Sequence, residues 1–316
     1  MRILVTGITG FAGGHLAEAL LARRAAVVGV DRKGSWPASL QHLERSVELR
    51  TCDLCDAAAV EALLRDVSPE QICHLAGYAR TGRSFDEPDA AWDGNLTTTR
   101  RLYEAVARWG GRPRILFIGS GLIYGSNPVD SRPPDESAAL RPDSPYATSK
   151  AAADLVSYQV YCAPGLDVVR ARPLNHVGPR QDPEFAIAHF ARQIVAIERG
   201  EQAPVLETGD LRPTRDLTDV RDTVGAYLLL LEHGRSGEAY NVASGRCYTM
   251  QMVLDRLLTL AGVSAEIRQL TELVRPTEQA AVRADASKLR RETGWEPQYG
   301  IDQTLSDTLD YWRGQP

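Results

Sequence analysis

The sequence predicts an α/β protein with a doubly wound parallel sheet and a smaller, irregular α/β lobe toward the C-terminus. Six short apolar runs rich in β-branched residues alternate with longer helical segments in the first half of the chain. This alternation favours a parallel sheet covered by helices on both faces. After about Arg172 it gives way to proline-rich turns, isolated helices and short strands.

The six runs predict successive strands, and they read RILVTG, AAVVGVD, VELRTCD, QICHLAG, RILFIGS and LDVVRARP. Residues 11–24 and 88–109 have helical patterns. We therefore assign residues 1–172 to a dinucleotide-binding domain. The run RDLTDVRDTVGAYLLLLEH looks like a further strand and helix, so we expect about 216–243 to rejoin this domain. Residues 173–215 and 244–316 then form the second lobe.

Composition excludes several classes of function. The 316 residues include 36 basic and 41 acidic side chains, for a net charge of −5, and no long basic run. Nucleic acid is therefore not an expected partner. No stretch is long enough for a membrane span, and the N-terminal apolar run is interrupted by glycines, so we expect a cytoplasmic protein with no membrane partner.

The five cysteines are odd in number and scattered, which is typical of reduced thiols. Cys52 and Cys55 form a C-x-x-C pair, but no second pair or nearby histidine completes a zinc site. We predict no metal and expect these cysteines to serve as small hydrophobic residues.

A glycine-rich turn between the first strand and the first helix predicts a dinucleotide site. Gly7, Gly10 and Gly13 permit a tight turn and let the helix N-terminus approach a pyrophosphate. The second strand ends at Asp31, whose carboxylate is placed to bind the adenosine ribose diol. That favours NAD(H), because a carboxylate repels a 2′-phosphate. Arg32 and Lys33 can pair with such a phosphate and leave NADP(H) open.

The third strand ends at Asp53 in TCDLCD, where two interpretations stay open. The carboxylate can receive the adenine amino group, or it can cap the following helix.

A tyrosine and a lysine four residues apart suggest proton transfer. On a helix, Tyr146 and Lys150 lie on one face. A phenol has a pKa near ~10, so it needs a positive charge such as this lysine, or an oxidised nicotinamide, to stabilise its anion. Ser120 ends the fifth strand, where its hydroxyl can bond the same substrate oxygen as the tyrosine.

Taken together, these motifs resemble the extended short-chain dehydrogenase/reductases over nearly the whole chain. TGITGFAGG, HLAG, GSGLIYG and YATSK match family motifs in the expected order, and Asn95 in WDGNLTTTRRL matches the asparagine that supports the water and lysine network. The resemblance implies a Rossmann-like fold, an NAD(P) cofactor and catalysis by Ser120, Tyr146 and Lys150 with Asn95. It places further cofactor contacts at Phe11, Arg32, Leu54, Leu75 and Ala76 and at the catalytic Tyr146 and Lys150.

The second half of the chain resembles the GDP-sugar branch of this family, and its reductases most. The similarity lies in ARPLNHVGPRQ, ARQIVAIERG, GDLRPTRDLTDVRD, AYNVASG, VRPTEQ and TGWEPQ. It implies that the diphosphate is held by Asn175, Arg215 and Arg275 and the ribose by Glu278. Arg215 can alternatively form a surface ion pair with Asp216.

Three further residues of this half keep two interpretations each. His176 is either catalytic or a hydrogen-bonded structural residue. Arg192 and Gln193 either approach the guanine or are solvated on a helix. Arg180 stands where the branch often has a smaller residue, which implies an altered sugar pocket.

One departure separates the activities of the branch. Dehydratases carry a glutamate two residues before the tyrosine of the xYG motif, where it removes a proton beside the transient ketone, whereas this chain has Leu122. Some reductases of the branch also carry an acid there, so its absence argues against dehydration more strongly than it argues for reduction. The similarity to the reductases implies reduction of a nucleotide-linked 4-keto-6-deoxy hexose, with GDP-4-keto-6-deoxy-D-mannose giving GDP-D-rhamnose. An NAD-dependent sugar-nucleotide 4-epimerase is the main alternative. A 4,6-dehydratase or a non-catalytic nucleotide sensor is less favoured, since a sensor needs none of the three catalytic residues.

Family members often pair through their long helices, here 90–109 and 145–162. The resemblance therefore implies a homodimer.

Overall fold

The computed structural model describes residues 1–126, 128, 131–274 and 280–315. The strands, in chain order, are β1 Arg2–Thr6, β2 Ala26–Asp31, β3 Glu48–Thr51, β4 Gln71–His74, β5 Arg114–Ile118, β6 Val168–Pro173, β7 Asn175–Val177, β8 Val205–Thr208, β9 Thr214–Asp219, β10 Ala239–Val242, β11 Cys247–Thr249, β12 Glu266–Gln269 and β13 Ala281–Val282. The α-helices are α1 Phe11–Ala22, α2 Ala57–Val67, α3 Pro88–Trp92, α4 Thr98–Trp109, α5 Pro145–Cys162, α6 Ala186–Glu198, α7 Val220–His233, α8 Met250–Ala261, α9 Ser287–Thr293 and α10 Ile301–Arg313.

Seven parallel strands form the main sheet in the order β10-β6-β5-β4-β1-β2-β3. The six strands predicted from the sequence are β1 to β6, so the predicted fold class is confirmed. From β1 the chain proceeds through β2 to β3 at one edge of the sheet. It then returns to β4 on the other side of β1 and continues outward through β5 and β6. A crevice between diverging connections forms at such a switch point, here beside β1 and β4.

Alternate side chains of β1 enter two cores, because successive residues of a strand point to opposite faces. Ile3 and Val5 pack with apolar residues of α1 and α7. Leu4 packs on the other face with residues of α2, α4 and α5. The predicted helix at 88–109 is observed as α3 and α4 joined by a π-helical turn over Asp93–Thr97.

The second lobe has its own small sheet. β9 pairs with β7, β11 and β13, and β8 pairs with β12. A separate core among α6, α8 and α10 includes Phe190, Leu217, Leu254 and Leu305.

The segment expected to rejoin the main sheet at 216–243 is split by the structure. Its strand β9 belongs to the small sheet, whereas α7 packs on the main sheet and β10 is the seventh strand. The expectation that β9 returns to the main sheet is therefore wrong. Five of the six residues of β9 are buried, on both faces of the strand, and a short buried strand of this kind fits either sheet. Its local sequence pattern therefore does not choose between them. The division into two domains stays a prediction.

The five cysteines are free thiols, Cys52 and Cys73 being buried. Within the described ranges, no group of three or more histidine, cysteine or acidic side chains could hold a metal ion. In the same part of the chain, no helix is both long and apolar enough to cross a membrane.

Candidate active site

The carboxyl ends of β1, β4 and β5 meet at the switch point and bring together most of the predicted site residues. The glycine turn follows β1, Leu75 and Ala76 follow β4, and Ser120 follows β5. Segments far apart in sequence thereby form one cleft.

The turn after β1 fits a pyrophosphate. Gly7 has φ +70°, and a Cβ there would lie 2.7 Å from the Ala76 amide nitrogen. A Cβ on Gly13 would collide with the Gly7 carbonyl oxygen. Helix α1 starts at Phe11 with Gly10 as N-cap and has no side-chain capping bond. The backbone therefore approaches closely and the helix N-terminus is left for an anion.

The carboxylate of Asp31, at the end of β2, is fixed by three hydrogen bonds. The Thr9 hydroxyl donates to Asp31 Oδ2 at 2.7 Å. The amides of Lys33 and Gly34 donate to Oδ1 at 2.7 Å and 3.0 Å. The carboxylate is thus held in place at the end of β2, and Arg32 beside it is exposed. The contact of this carboxylate with the adenosine ribose stays a prediction.

Asp53 does not cap helix α2. Asp56 is the N-cap and accepts hydrogen bonds from the amides of Ala58 and Ala59 at 2.9 Å and 3.1 Å. Asp53 is exposed and accepts from the Cys55 amide, and Leu54 is buried beside it. The capping alternative is therefore wrong, and the adenine contact stays a prediction.

Asn95 links three segments of the cleft from the π-helical turn. Its side chain is 1% exposed. Its Oδ1 accepts from the Tyr78 amide at 3.0 Å and its Nδ2 donates to Ser149 Oγ at 3.0 Å. Ser149 Oγ in turn donates to the carbonyl of Tyr146 at 2.8 Å. The network fixes the first turns of α5.

Lys150 is buried beside Asn95. Its Nζ donates to the Ile118 carbonyl at 3.0 Å, at the end of β5. Burial lowers the pKa of Lys150 to about 8. Gly77 leaves room for this arrangement, since a Cβ there would lie 2.6 Å from Asn95 Oδ1 and 3.3 Å from Lys150 Nζ.

Tyr146 enters the cleft from the first turn of α5. Ser144 caps that helix, accepting from the Ala147 amide at 3.2 Å, and Pro145 occupies its first position. Burial raises the pKa of Tyr146, and a hydrogen bond with the Ser120 side chain opposes the rise. The sequence predicts instead that Lys150 lowers this pKa. Burial dominates in the structure, so the phenol keeps its proton.

Ser120 also fixes the turn that carries Leu122. Its Oγ accepts from the Leu122 amide at 3.2 Å and caps the 3₁₀ turn Gly121–Tyr124. A half-buried leucine therefore follows the serine at the position of the dehydratase glutamate.

His74 was not predicted as a site residue, although it lies in the HLAG motif. The imidazole is buried, with Nδ1 2.8 Å from Thr6 Oγ1 and Nε2 3.0 Å from Thr99 Oγ1. Burial, then the charge of Lys150, lowers the pKa of His74 to about 3. His74 is therefore a neutral bridge beneath the cleft. Ser149, inside YATSK, and Gly77 were missed as well.

The predicted substrate residues lie in the second lobe. Asn175 is on β7, and its Oδ1 is buried without a hydrogen-bond partner in the part of the chain that the structure describes. Arg215 is buried on β9, and its Nη1 donates to the Thr214 carbonyl at 3.0 Å. Arg275 and Glu278 lie outside the described residues.

The alternative of a surface ion pair between Arg215 and Asp216 is wrong. Asp216 is buried, and its carboxylate accepts from the amides of Ser244 and Gly245 at 2.9 Å and 2.8 Å.

Helix α6 presents Arg192 and Gln193 differently. Arg192 is exposed, so its contact with the base stays a prediction. The Gln193 amide donates to the Glu207 carbonyl at 3.0 Å and accepts from the Glu207 amide at 2.9 Å. Gln193 therefore joins α6 to β8.

His176 lies against the glycine turn. Its ring stacks on Phe11, with centroids 5.7 Å apart and an interplanar angle of 10°. Its Nδ1 is 3.2 Å from the Leu174 carbonyl, and burial lowers its pKa. These contacts favour the structural interpretation of His176.

The chain is similar to known proteins over nearly its full length. A family model described as GDP-mannose 4,6 dehydratase matches residues 4–308. GDP-6-deoxy-D-mannose reductase of Pseudomonas aeruginosa is 35% identical over 314 residues, which cover 99% of this chain and 98% of the relative. The structure of RMD from Pseudomonas aeruginosa complexed with NADPH has a TM-score of 0.86 at 34% identity, covering 99% of this chain and 98% of the other. UDP-glucose 4-epimerase of Thermus thermophilus in complex with NAD has a TM-score of 0.88 at 31% identity, covering 99% of each chain.

Proposed function

Because this chain belongs to the GDP-mannose 4,6-dehydratase family of extended short-chain dehydrogenase/reductases, we propose that it is an NAD(P)H-dependent reductase of a nucleotide-linked 4-keto-6-deoxy hexose. The substrate we propose is GDP-4-keto-6-deoxy-D-mannose, and the product is GDP-D-rhamnose. The similarity to GDP-6-deoxy-D-mannose reductase of Pseudomonas aeruginosa supports this choice.

The observation that carries the proposal is the placement of three buried side chains, Tyr146, Ser120 and Lys150, at the carboxyl end of β5, with a hydrogen bond between the Tyr146 and Ser120 side chains. Reduction of a ketone needs an acid for the developing alkoxide, and a phenol is such an acid because it carries its proton at neutral pH. Tyr146 donates that proton to the oxygen on carbon 4, and Ser120 holds the same oxygen through its hydroxyl.

The cofactor is NAD(P)H, and the cleft residues fit it. When bound, the reduced nicotinamide supplies the hydride for carbon 4. Gly7, Gly10 and Gly13 with the N-terminus of α1 hold the pyrophosphate, and Asp31 holds the adenosine ribose. Lys150 binds the nicotinamide ribose while Asn95 fixes its surroundings.

The second lobe binds the remainder of the substrate. Asn175, Arg215 and Arg275 hold the diphosphate, Glu278 the ribose and Arg192 the base. Arginine suits this task because its planar fork binds phosphate oxygens in pairs. Binding energy at the nucleotide then positions the ketone at the other end of the molecule.

Leu122 separates this proposal from dehydration. A leucine side chain cannot remove the proton next to the ketone. The turn that carries Leu122 is fixed by the hydrogen bond from its amide to Ser120 Oγ. A 4-epimerase remains the rival activity, because the same three residues serve it and one solved relative is an epimerase in complex with NAD.

The test is to supply GDP-4-keto-6-deoxy-D-mannose with NADH or NADPH and follow the loss of nicotinamide absorbance. We expect one cofactor oxidised per sugar reduced, and slower turnover of the corresponding dTDP-linked ketone. UDP-glucose is the control for the rival. Interconversion of UDP-glucose and UDP-galactose without net cofactor consumption would replace the reductase with an epimerase.

We also propose that the protein is a homodimer joined through helix α5. Three large apolar side chains on this helix are exposed: Leu155 by 58%, Tyr158 by 48% and Tyr161 by 39%. Leu155→Lys should shift the mass in light scattering from dimer to monomer, whereas Leu260→Lys on α8 should not. A wild-type monomer at micromolar concentration would contradict this proposal. Location in the cytoplasm stays a prediction from the sequence.

A further inference from the structure

The turn after β7 contains an arginine in an uncommon backbone conformation. Arg180 has φ +74°, in the left-handed region that favours glycine. For a residue with a Cβ this conformation is sterically strained, so we expect contacts of the Arg180 side chain to stabilise it.

These contacts are with helix α1. The guanidinium of Arg180 binds Glu18 through both nitrogens, Nη1 to Oε1 at 2.6 Å and Nη2 to Oε2 at 2.7 Å. Its Nη2 also donates to His15 Nδ1 at 2.8 Å. The side chain of Arg180 is only 14% exposed. A paired, bidentate and largely buried contact of this kind is the strong form of an ion pair.

His15 completes the contact as a neutral ring. Burial, then the charge of Arg180, lowers the pKa of His15 to about 4. With Nδ1 accepting from Arg180, the Nε2–H donates to the Pro179 carbonyl at 3.0 Å. Backbone and side chain of the same turn are therefore bound to the same helix.

The segment 175–181 touches α1 a second time through aromatic rings. His176 stacks on Phe11, and the rings of His15 and Phe11 meet edge-on, with centroids 5.5 Å apart. Gln181 Nε2 donates to the His176 carbonyl at 3.0 Å and closes the segment on itself. One end of this segment is Asn175, and α1 begins directly after the cofactor turn.

We propose that Arg180 is a positioning residue that fastens the substrate-binding segment 175–181 to the helix that binds the cofactor. Ordering of α1 by the dinucleotide is thereby transmitted to Asn175, so cofactor binding increases the affinity for the nucleotide sugar. Such coupling between two ligand sites is reciprocal. The inference rests on the proposed function only for the identity of the second ligand.

The first experiment therefore does not use the sugar nucleotide. Amide hydrogen exchange of residues 175–181 is measured with and without saturating NAD⁺ or NADP⁺. In the wild type we expect the cofactor to slow exchange of this segment by about fivefold or more. In Arg180→Gly, which removes the side chain and suits the backbone, we expect protection of residues 7–14 alone.

A second variant and a matched control separate the ion pair from general damage. Glu18→Gln should lose the same protection, and adding it to Arg180→Gly should change nothing more. Arg24→Gly is the control, because Arg24 also has a left-handed φ of 60° but is exposed and has no ion pair among the described residues. It should behave like the wild type.

Kinetics give a second measurement. Arg180→Gly should raise KM for GDP-4-keto-6-deoxy-D-mannose by about tenfold with kcat nearly unchanged, and Arg180→Lys should restore part of the loss. Unchanged protection of 175–181 in Arg180→Gly overturns the inference, as does a wild type in which the cofactor leaves this segment unaffected. Failure to reduce the ketone, with the protection pattern as expected, counts against the proposed function alone.

Discussion

The two sides of the cleft differ in how their polar side chains are satisfied. On the side of the cofactor site, Asn95 and Lys150 are buried and hydrogen-bonded to other segments. On the side of the second lobe, the Asn175 Oδ1 is buried without a partner among the described residues, and Arg192 is exposed. The first side is organised before a ligand arrives, whereas we propose that these two groups of the second side bind the ligand.

This difference follows from what each side must do. Proton transfer needs fixed geometry, and a fixed polar group in a dry site costs no reorganisation during reaction. This arrangement has an energetic cost, because burial disfavours the charged form of Lys150 and lowers its pKa to about 8. Binding of the substrate nucleotide instead gains most free energy from polar groups that make their hydrogen bonds only with the ligand.

The largest expected effect is on the organised side. Tyr146→Phe removes only the phenolic oxygen and should lower kcat by about 10²–10⁴-fold, because the acid for the alkoxide is lost. The dissociation constants of NADH and NADPH should change little. Stopped-flow reduction of the ketone and cofactor titration measure the two quantities.

Tyr299→Phe is the control, since Tyr299 is exposed and lies outside both helix α5 and the proposed site. It should leave kcat unchanged. If Tyr146→Phe reduced the ketone at the wild-type rate, the organised side would have no catalytic role.

Sequence reasoning succeeded where a local rule applies. Tyr146 and Lys150 are one helical turn apart, and Gly7 and Asp31 stand at strand ends. Contacts between distant segments carry no such signal. Asn95 and Ser149 are 54 residues apart, and Arg180 and Glu18 are 162 apart. Only the fold brings these pairs together.

The same reason explains what was missed or wrong in detail. His74 joins Thr6 and Thr99 across two elements, so its role could not be read from HLAG alone. The sign of the Tyr146 shift depends on burial, which the four-residue spacing does not report. Arg180 was expected to alter the sugar pocket, but its guanidinium binds α1.

A smaller effect is expected beneath the organised side. The pKa of His74 is about 3 in the folded protein against 6.5 ordinarily, so the unfolded chain binds more protons between these values. Stability from this group is complete above pH 6.5 and is lost as the pH falls toward 3. His74→Gln, which does not titrate, should flatten the decline by roughly 2 kcal/mol between pH 6.5 and 5.

Urea unfolding at several pH values measures this slope. His15, His176 and His189 also have lowered pKa values but remain in the variant, so the difference isolates His74. His233→Gln, at an exposed position at the end of α7, is the control and should run parallel to the wild type. Parallel curves for His74→Gln as well would mean that His74 is not a neutral buried bridge.

The smallest effect is expected on the open side. Asn175→Leu keeps a similar volume but removes the amide, and it should raise KM for the sugar nucleotide by about fivefold, or roughly 1 kcal/mol. Because none of the described residues bonds Asn175 Oδ1, folding stability should not fall. Thr208→Val is the matched control, since Thr208 Oγ1 is also buried and unpartnered but lies on β8. Its KM should stay at the wild-type value. Equal effects of the two substitutions on KM would mean that an unpartnered oxygen in this lobe does not mark a ligand contact. The two sides of the cleft would then differ in how their side chains pack, and not in whether they are left to bind a ligand.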